Sequence, residues 1–183
     1  MCLTLPRLII NHTEINDSTK IKRIEIGETY VISGSYTDYI KFVDNEHFLL
    51  VETSKEDKNF PPNSANVQFG KYEKKKENFA QTEFISLYFI IPTNDKETEK
   101  NPNFVLEEQD VLGEIPSIDY IGIAIKKWRG SYYLGKVPEI DDENNKINDK
   151  PTNSSDKWLK ISSKKLPDTV EEYLSQYTFI QKS

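Results

Sequence analysis

Among imidazoles and thiols the chain holds only His12, His47 and Cys2. A metal site or an acid–base pair built on imidazole would have to use one of the two histidines. His12 falls in a polar link, and His47 follows Glu46 just past a turn, where an imidazole is ordinarily a solvated surface group. One thiol makes neither an internal disulfide nor a zinc cluster. No Gly-x-Ser-x-Gly elbow, phosphate-binding glycine loop or His-Glu-x-x-His helix occurs. The 30 carboxylates could hide a glycosidase-like pair, but sequence does not say which two meet in space. Asp141, Asp142, Glu143, Asn144, Asn145, Asn148 and Asp149 supply oxygen ligands enough for calcium, without the glycine and terminal glutamate of an EF-hand loop. The expectation is no metal, no cofactor and no assigned catalytic residue.

The residues that do stand out are aromatic. Trp128, Tyr132 and Tyr133 lie beside Arg129 around one turn, and Tyr30, Tyr36 and Tyr39 lie around another. Trp, Tyr and Arg are enriched at binding hot spots because each buries a large area and keeps a polar handle. Successive residues of a strand face opposite sides, so Tyr132 and Tyr133 cannot both point inward. The candidate binding residues are therefore Trp128, Arg129, Tyr132, Tyr133, Tyr36 and Tyr39, with the hairpin over residues 126–137 carrying the surface and Trp128, Arg129 and either Tyr132 or Tyr133 as its anchors. The competing reading is that these rings are β-core and that Trp128 plugs the end of a barrel.

Three function classes follow. The first is a non-enzymatic binding protein, using an aromatic protein-binding surface or a small barrel pocket for an apolar ligand. The second is an acidic inhibitor or immunity-type subunit for a basic partner, served by the net −5 of residues 101–156. The third, a carboxylate-dependent hydrolase, ranks last.

Charge bounds the partners further. The net charge is −6, and the one dense basic cluster, Lys74, Lys75 and Lys76, is flanked by Glu73 and Glu77 and reads as a solvated turn between strands. A binder of phosphate backbones needs a concentrated basic face, so nucleic acid is not expected. No apolar run has the length of a membrane span, and the first residues lack the apolar region and cleavage site of a secretory signal. The expected location is cytoplasmic. The alternative is a cell-envelope lipoprotein anchored through Cys2. Oligomeric state is not legible.

These side chains need a scaffold, and the 183 residues suffice for a single β-rich domain. Residues 29–53 pack three strand-like runs into a short span. Residues 39–43 and 47–52 are aromatic and β-branched, and Asp44-Asn45-Glu46 between them is turn chemistry. Residues 21–26 alternate too ambiguously to choose a face and read as an edge strand, with Gly27-Glu28 turning into the next run. Residues 66–73 form a strand in which Gly70 marks a bulge or a close backbone contact. Residues 79–91 are apolar on both faces and should be central. Residues 104–112 are ambiguous between strand and helix. Residues 119–128 alternate cleanly, with Gly122 and Ala124 leaving room on one face, and Arg129-Gly130 turns the chain into residues 131–137. Residues 141–156 hold one apolar side chain, Ile147, and read as a mobile loop.

The end differs in kind. Asp168 or Thr169 can cap a helix over about 168–177, with Glu171 or Glu172 completing a capping box and Val170, Tyr173, Leu174 and Tyr177 on one apolar face. The expected fold is mainly β, an antiparallel β-barrel or sandwich of about ten strands with a C-terminal α-helix packed across it.

Overall fold

The structure, a computed structural model, describes residues 21, 23–33, 37–54, 63–93, 103–109, 124–135 and 157–180. Nine strands run as β1 (Thr29–Ser33), β2 (Thr37–Phe42), β3 (His47–Thr53), β4 (Ala65–Lys75), β5 (Asn78–Pro92), β6 (Phe104–Gln109), β7 (Ala124–Trp128), β8 (Ser131–Gly135) and β9 (Lys157–Ile161), followed by one short helix, α1 (Val170–Leu174). All strand pairings are antiparallel, in the order β4-β3-β2-β1-β9-β8-β7-β5-β6. Because β4 also pairs with β5, eight strands close into a barrel and β6 extends from it. Closure removes the exposed edges that an open sheet would present.

Alternation along each strand sorts the apolar residues into two cores. Tyr30, Ile32, Ile40, Phe42, Phe48, Leu50, Tyr72, Phe79, Ile125, Tyr132 and Leu159 point inward. The gap left between Ile40, Phe42, Phe48, Tyr72, Phe79, Gln81 and Ile125 has no room for a water molecule, so this part of the barrel is filled by its own side chains. The second core lies outside the barrel. There Tyr39, Leu49, Val51, Val67, Ile90 and Phe104 meet Leu166, Val170, Tyr173 and Tyr177 from the C-terminal segment.

That segment is tied down by polar contacts as well. The Lys41 ammonium, buried on β2, donates to the Leu166 carbonyl at 2.8 Å and lies 2.6 Å from Asp168 Oδ1. Leu166 N–H donates to Thr29 Oγ1 at 2.9 Å, and Lys165 pairs with Glu28. Thr169 is the N-cap, its Oγ1 accepting from Glu172 N–H, while the Glu172 carboxylate reaches back to Asp168 N–H. The tail then adds to the free edge of β6, with Phe104 N–H donating to Thr178 O and Ile180 N–H to Phe104 O.

Several expectations are revised. Residues 21–26 are not an edge strand: Ile24 and the buried Ile21 pack against the interior core, three positions apart, and Gly27 N–H donates to Phe42 O. The helix spans Val170–Leu174 rather than 168–177, and Leu174 is only partly buried. Residues 104–109 are strand. Gly70 is indeed a close contact, since a Cβ there would stand 2.6 Å from Glu83 O and 3.0 Å from the Phe48 ring. The register of β4 against β5 shifts at the same place. Cys2, His12, Tyr36 and the loop 141–156 lie outside the described residues. No helix among the described residues is long and apolar enough to cross a membrane.

Candidate functional site: the outer face of β7, β8 and β9

Strand β7 ends at a two-residue turn. Trp128 pairs with Ser131, and between them Arg129 and Gly130 stand at φ 47° and 83°. Two successive positive φ values are what a type I′ hairpin turn requires, and they suit Asn, Asp or Gly at its first position. Arg there bears a steric penalty of roughly 1–2 kcal/mol for its Cβ. Its guanidinium lies 5.4 Å from the centre of the Trp128 ring, within cation–π range, and the side chain is exposed. A residue held against its backbone preference is an observation from which function can be argued.

Alternation places Trp128 on the outside of the barrel, as it does Lys126, Tyr133 and Trp158. Lys126 pairs with Tyr133, and Tyr133 pairs with Trp158, whose ring lies 5.5 Å away. Both tryptophans of the chain thus sit on the outer face of three adjacent strands. Tyr133 and Lys126 form the buried floor of this wall, at 1% and 3% exposure, while Trp158 is 36% exposed and Trp128 partly exposed at its rim. Gly135 makes the floor possible. A Cβ on it would stand 3.1 Å from both the Lys126 side chain and the Tyr133 ring, so the missing methyl lets both lie flat on the strand. Lys160, exposed on β9, continues the same face.

Of the cations in these strands, Arg129 at the turn and Lys160 on β9 are exposed on this wall, Lys126 is buried in its floor, and Lys127, the cross-strand partner of Tyr132, belongs to the opposite face. The neighbouring tip of β4 and β5 brings Lys74, Lys75 and Lys76, whose flanking glutamates are engaged locally. Glu73 lies 3.4 Å from Lys75, and Glu77 accepts from Tyr132 Oη at 2.6 Å with Lys127 Nζ at 3.4 Å. The Tyr132 hydroxyl, and then Lys127, hold the Glu77 carboxyl below the usual range. Burial, and then Glu77, push the Tyr132 phenol far above its ordinary value.

The candidate residues therefore fall in different places. Tyr132 is inside the barrel, Tyr133 is in the floor of the outer wall, and Tyr39 is buried in the outer core with Lys164 5.2 Å from its ring centre. Among the described residues of the aromatic set only Trp128 reaches solvent, together with Arg129. Trp158 and Lys160, which complete the wall, were not visible as partners of Trp128, because the register that brings β9 beside β8 joins residues more than twenty apart. A second tryptophan in the short alternating run of residues 158–161 was the available signal.

Other chemistry finds less support. His47 Nδ1 lies 2.9 Å from Asp44 Oδ2 and its ring stacks on Phe69, so this half-buried side chain serves the hairpin turn. Asp38 and Glu52 are opposite one another on β2 and β3, the one carboxylate pair in direct register among the described strands, flanked by Ile32 and Asn66. Among the described residues no group of three or more His, Cys, Asp or Glu could hold a metal ion. Comparison with protein families, with curated proteins and with solved structures finds no match to this chain.

Proposed function

We propose that the protein is a non-enzymatic binding module that engages a protein partner through the outer wall of β7, β8 and β9, with Trp128 and Arg129 as the anchors. The observation that carries this reading is the Arg129 turn. A sterically disfavoured arginine, exposed and stacked on a partly exposed tryptophan, stands at the tip of a hairpin on a closed barrel. Trp and Arg are the residue types that most often dominate binding energy when a partner covers them. A ligand pocket inside the barrel is less favoured, because the interior between Ile40 and Ile125 is filled. Of the acidic residues in 101–156 on which the acidic-inhibitor reading rests, Glu107 and Glu108 lie among the described residues.

The test is a photo-crosslinking amino acid at Ser131, beside Trp128 on the outer face, in cells that make the protein. One discrete protein adduct is expected. It should disappear in Trp128→Ala, whose melt should stay within about 1 kcal/mol of the parent, since an exposed anchor leaves the fold nearly unchanged. A crosslinker at Thr82 on β5 is the control. If Ser131 gives no adduct, or if Trp128→Ala lowers stability by about 3–5 kcal/mol as a core plug would, the wall is not the binding surface.

A further inference from the structure

We infer that the β4–β5 turn belongs to the same binding surface, with Lys76 as a further anchor beside Arg129. This rests on the reading above and extends it to a second hairpin tip. Lys75 pairs with Asn78, so Lys76 and Glu77 form a two-residue turn, and Lys76 stands at φ 55°. Among the described residues Lys76 and Arg129 are the only non-glycine residues with positive φ. Each is the first residue of a tight hairpin turn, a position that suits Asn, Asp or Gly, and each is an exposed cation.

The two turns are neighbours. Strands β5 and β7 pair just below them, Phe79 with Ile125, and Lys127 N–H donates to Asn78 Oδ1 at 3.3 Å. Glu77 accepts from Tyr132 Oη at 2.6 Å and lies 3.4 Å from Lys127 Nζ, so its carboxylate is occupied between the tips. Lys75 is likewise engaged, 3.4 Å from Glu73, and Lys74 Nζ lies 5.4 Å from the centre of the Phe79 ring. Neither Lys76 nor Arg129 is ion-paired to a described residue. The β2–β3 turn shows the contrast: Asp44 Oδ1 accepts from the N–H groups of Glu46 and His47 at 2.7 Å each, so there a side chain serves its own backbone. At Lys76 the backbone bears a steric cost and the side chain gives no contact in return, and outliers of this kind collect at ligand contacts. An ammonium and a guanidinium only donate. The partner that fits is therefore a protein surface wide enough to span both turns, with an oxygen acceptor, side-chain carboxylate or main-chain carbonyl, for each cation.

The test adds a photo-crosslinking amino acid at Lys74, on the same hairpin tip, to the one at Ser131. Both positions should give one protein adduct of the same mass, and a third crosslinker at Asn45 in the β2–β3 turn should give none. Lys76→Gly removes the cation and relieves the backbone. Its melting temperature should hold or rise while the Ser131 adduct falls about tenfold, as on loss of an anchor. Lys76→Arg, which keeps the charge, should keep the adduct. The inference is overturned if Lys74 gives no adduct, an adduct of another mass, or one that nuclease rather than protease digests. It is also overturned if Lys76→Gly melts early, or changes the Ser131 adduct by less than about twofold, the range of an ordinary surface substitution. Loss of the adduct in Lys76→Arg as in Lys76→Gly overturns it too. Should the Ser131 adduct still depend on Trp128 in these cases, the wall stands and the second tip does not. Absence of the Ser131 adduct in the parent removes the wall itself.

Discussion

The Tyr132 hydroxyl donates to the Glu77 carboxylate at 2.6 Å, and this bond fastens the tip of the β4–β5 hairpin to the turn end of the β7–β8 hairpin. Tyr132→Phe keeps the ring and removes the bond. A loss of about 1–2 kcal/mol is expected in urea unfolding, in the lower range for a bond to a charged group because the Glu77 side chain is 56% exposed and can turn to water. The Glu77 carboxyl should then titrate closer to its ordinary range by NMR. An unchanged midpoint would mean that water replaces the phenol without penalty.

Arg129→Asn tests whether the turn is built for function rather than stability. Asn tolerates the left-handed conformation that Arg129 is held in, so the variant should be more stable by up to about 1 kcal/mol. Partner binding should fall at the same time, because the cation over Trp128 is gone. A variant that melts earlier would mean that the stacking on Trp128 outweighs the backbone penalty.

Gly70 and Tyr173 set the scale for the two cores. Gly70→Ala places a methyl against the Glu83 carbonyl and the Phe48 ring, and should be destabilising by about 1–3 kcal/mol. In the outer core the sequence points to Leu174 as a core position, but the structure buries Tyr173 almost fully and Leu174 only in part. Tyr173→Ala should therefore cost about 3–5 kcal/mol and Leu174→Ala clearly less. Equal losses would mean that the five-residue helix rotates to re-bury either side chain.

Stability should depend on pH at both ends of the scale. Lys165 holds the Glu28 carboxyl low, and the Tyr132 hydroxyl does the same for Glu77. Burial pushes the Asp44 carboxyl up, but the backbone N–H groups of Glu46 and His47 and the His47 ring outweigh it. Carboxyls depressed in the folded state stabilise it above their unfolded range and lose that contribution as they are protonated, so the melting temperature should fall below about pH 4. Burial raises the phenols of Tyr30, Tyr72 and Tyr132. Their contribution is present below the unfolded value and is lost as pH climbs past it, so a second fall is expected above about pH 10. A melting temperature still rising between pH 8 and 11, to about those limits, would contradict this.

What the sequence made legible is local. The run 79–91 matches β5 within a residue at each end, the Asp44-Asn45-Glu46 turn lies where its residues place it, and the Thr169–Glu172 capping pair sets the helix start. What it hid is non-local. Whether the strands close depends on β4 meeting β5 along its whole length and on β9 slotting between β1 and β8, pairings that no period within a strand encodes. The environment of Tyr132 and Tyr133 is hidden for a related reason. Alternation correctly sends them to opposite faces, but the outer face near Gly135 is itself a packed surface, so both are buried.

The place of β9 in the barrel bears on how the chain is made. Residues 157–161 join β1, among the first strands to leave a ribosome, to β8, and the segment that completes the outer core follows them. Until those residues emerge, β1 and β8 expose unpaired edges and the outer faces of β2 to β4 lie bare, a state that invites pairing between nascent chains. At about 5–20 residues per second of synthesis, that window lasts several seconds for each molecule. Chains cut short before residue 157 should accordingly appear in inclusion bodies or bound to chaperones, however well their own hairpins form.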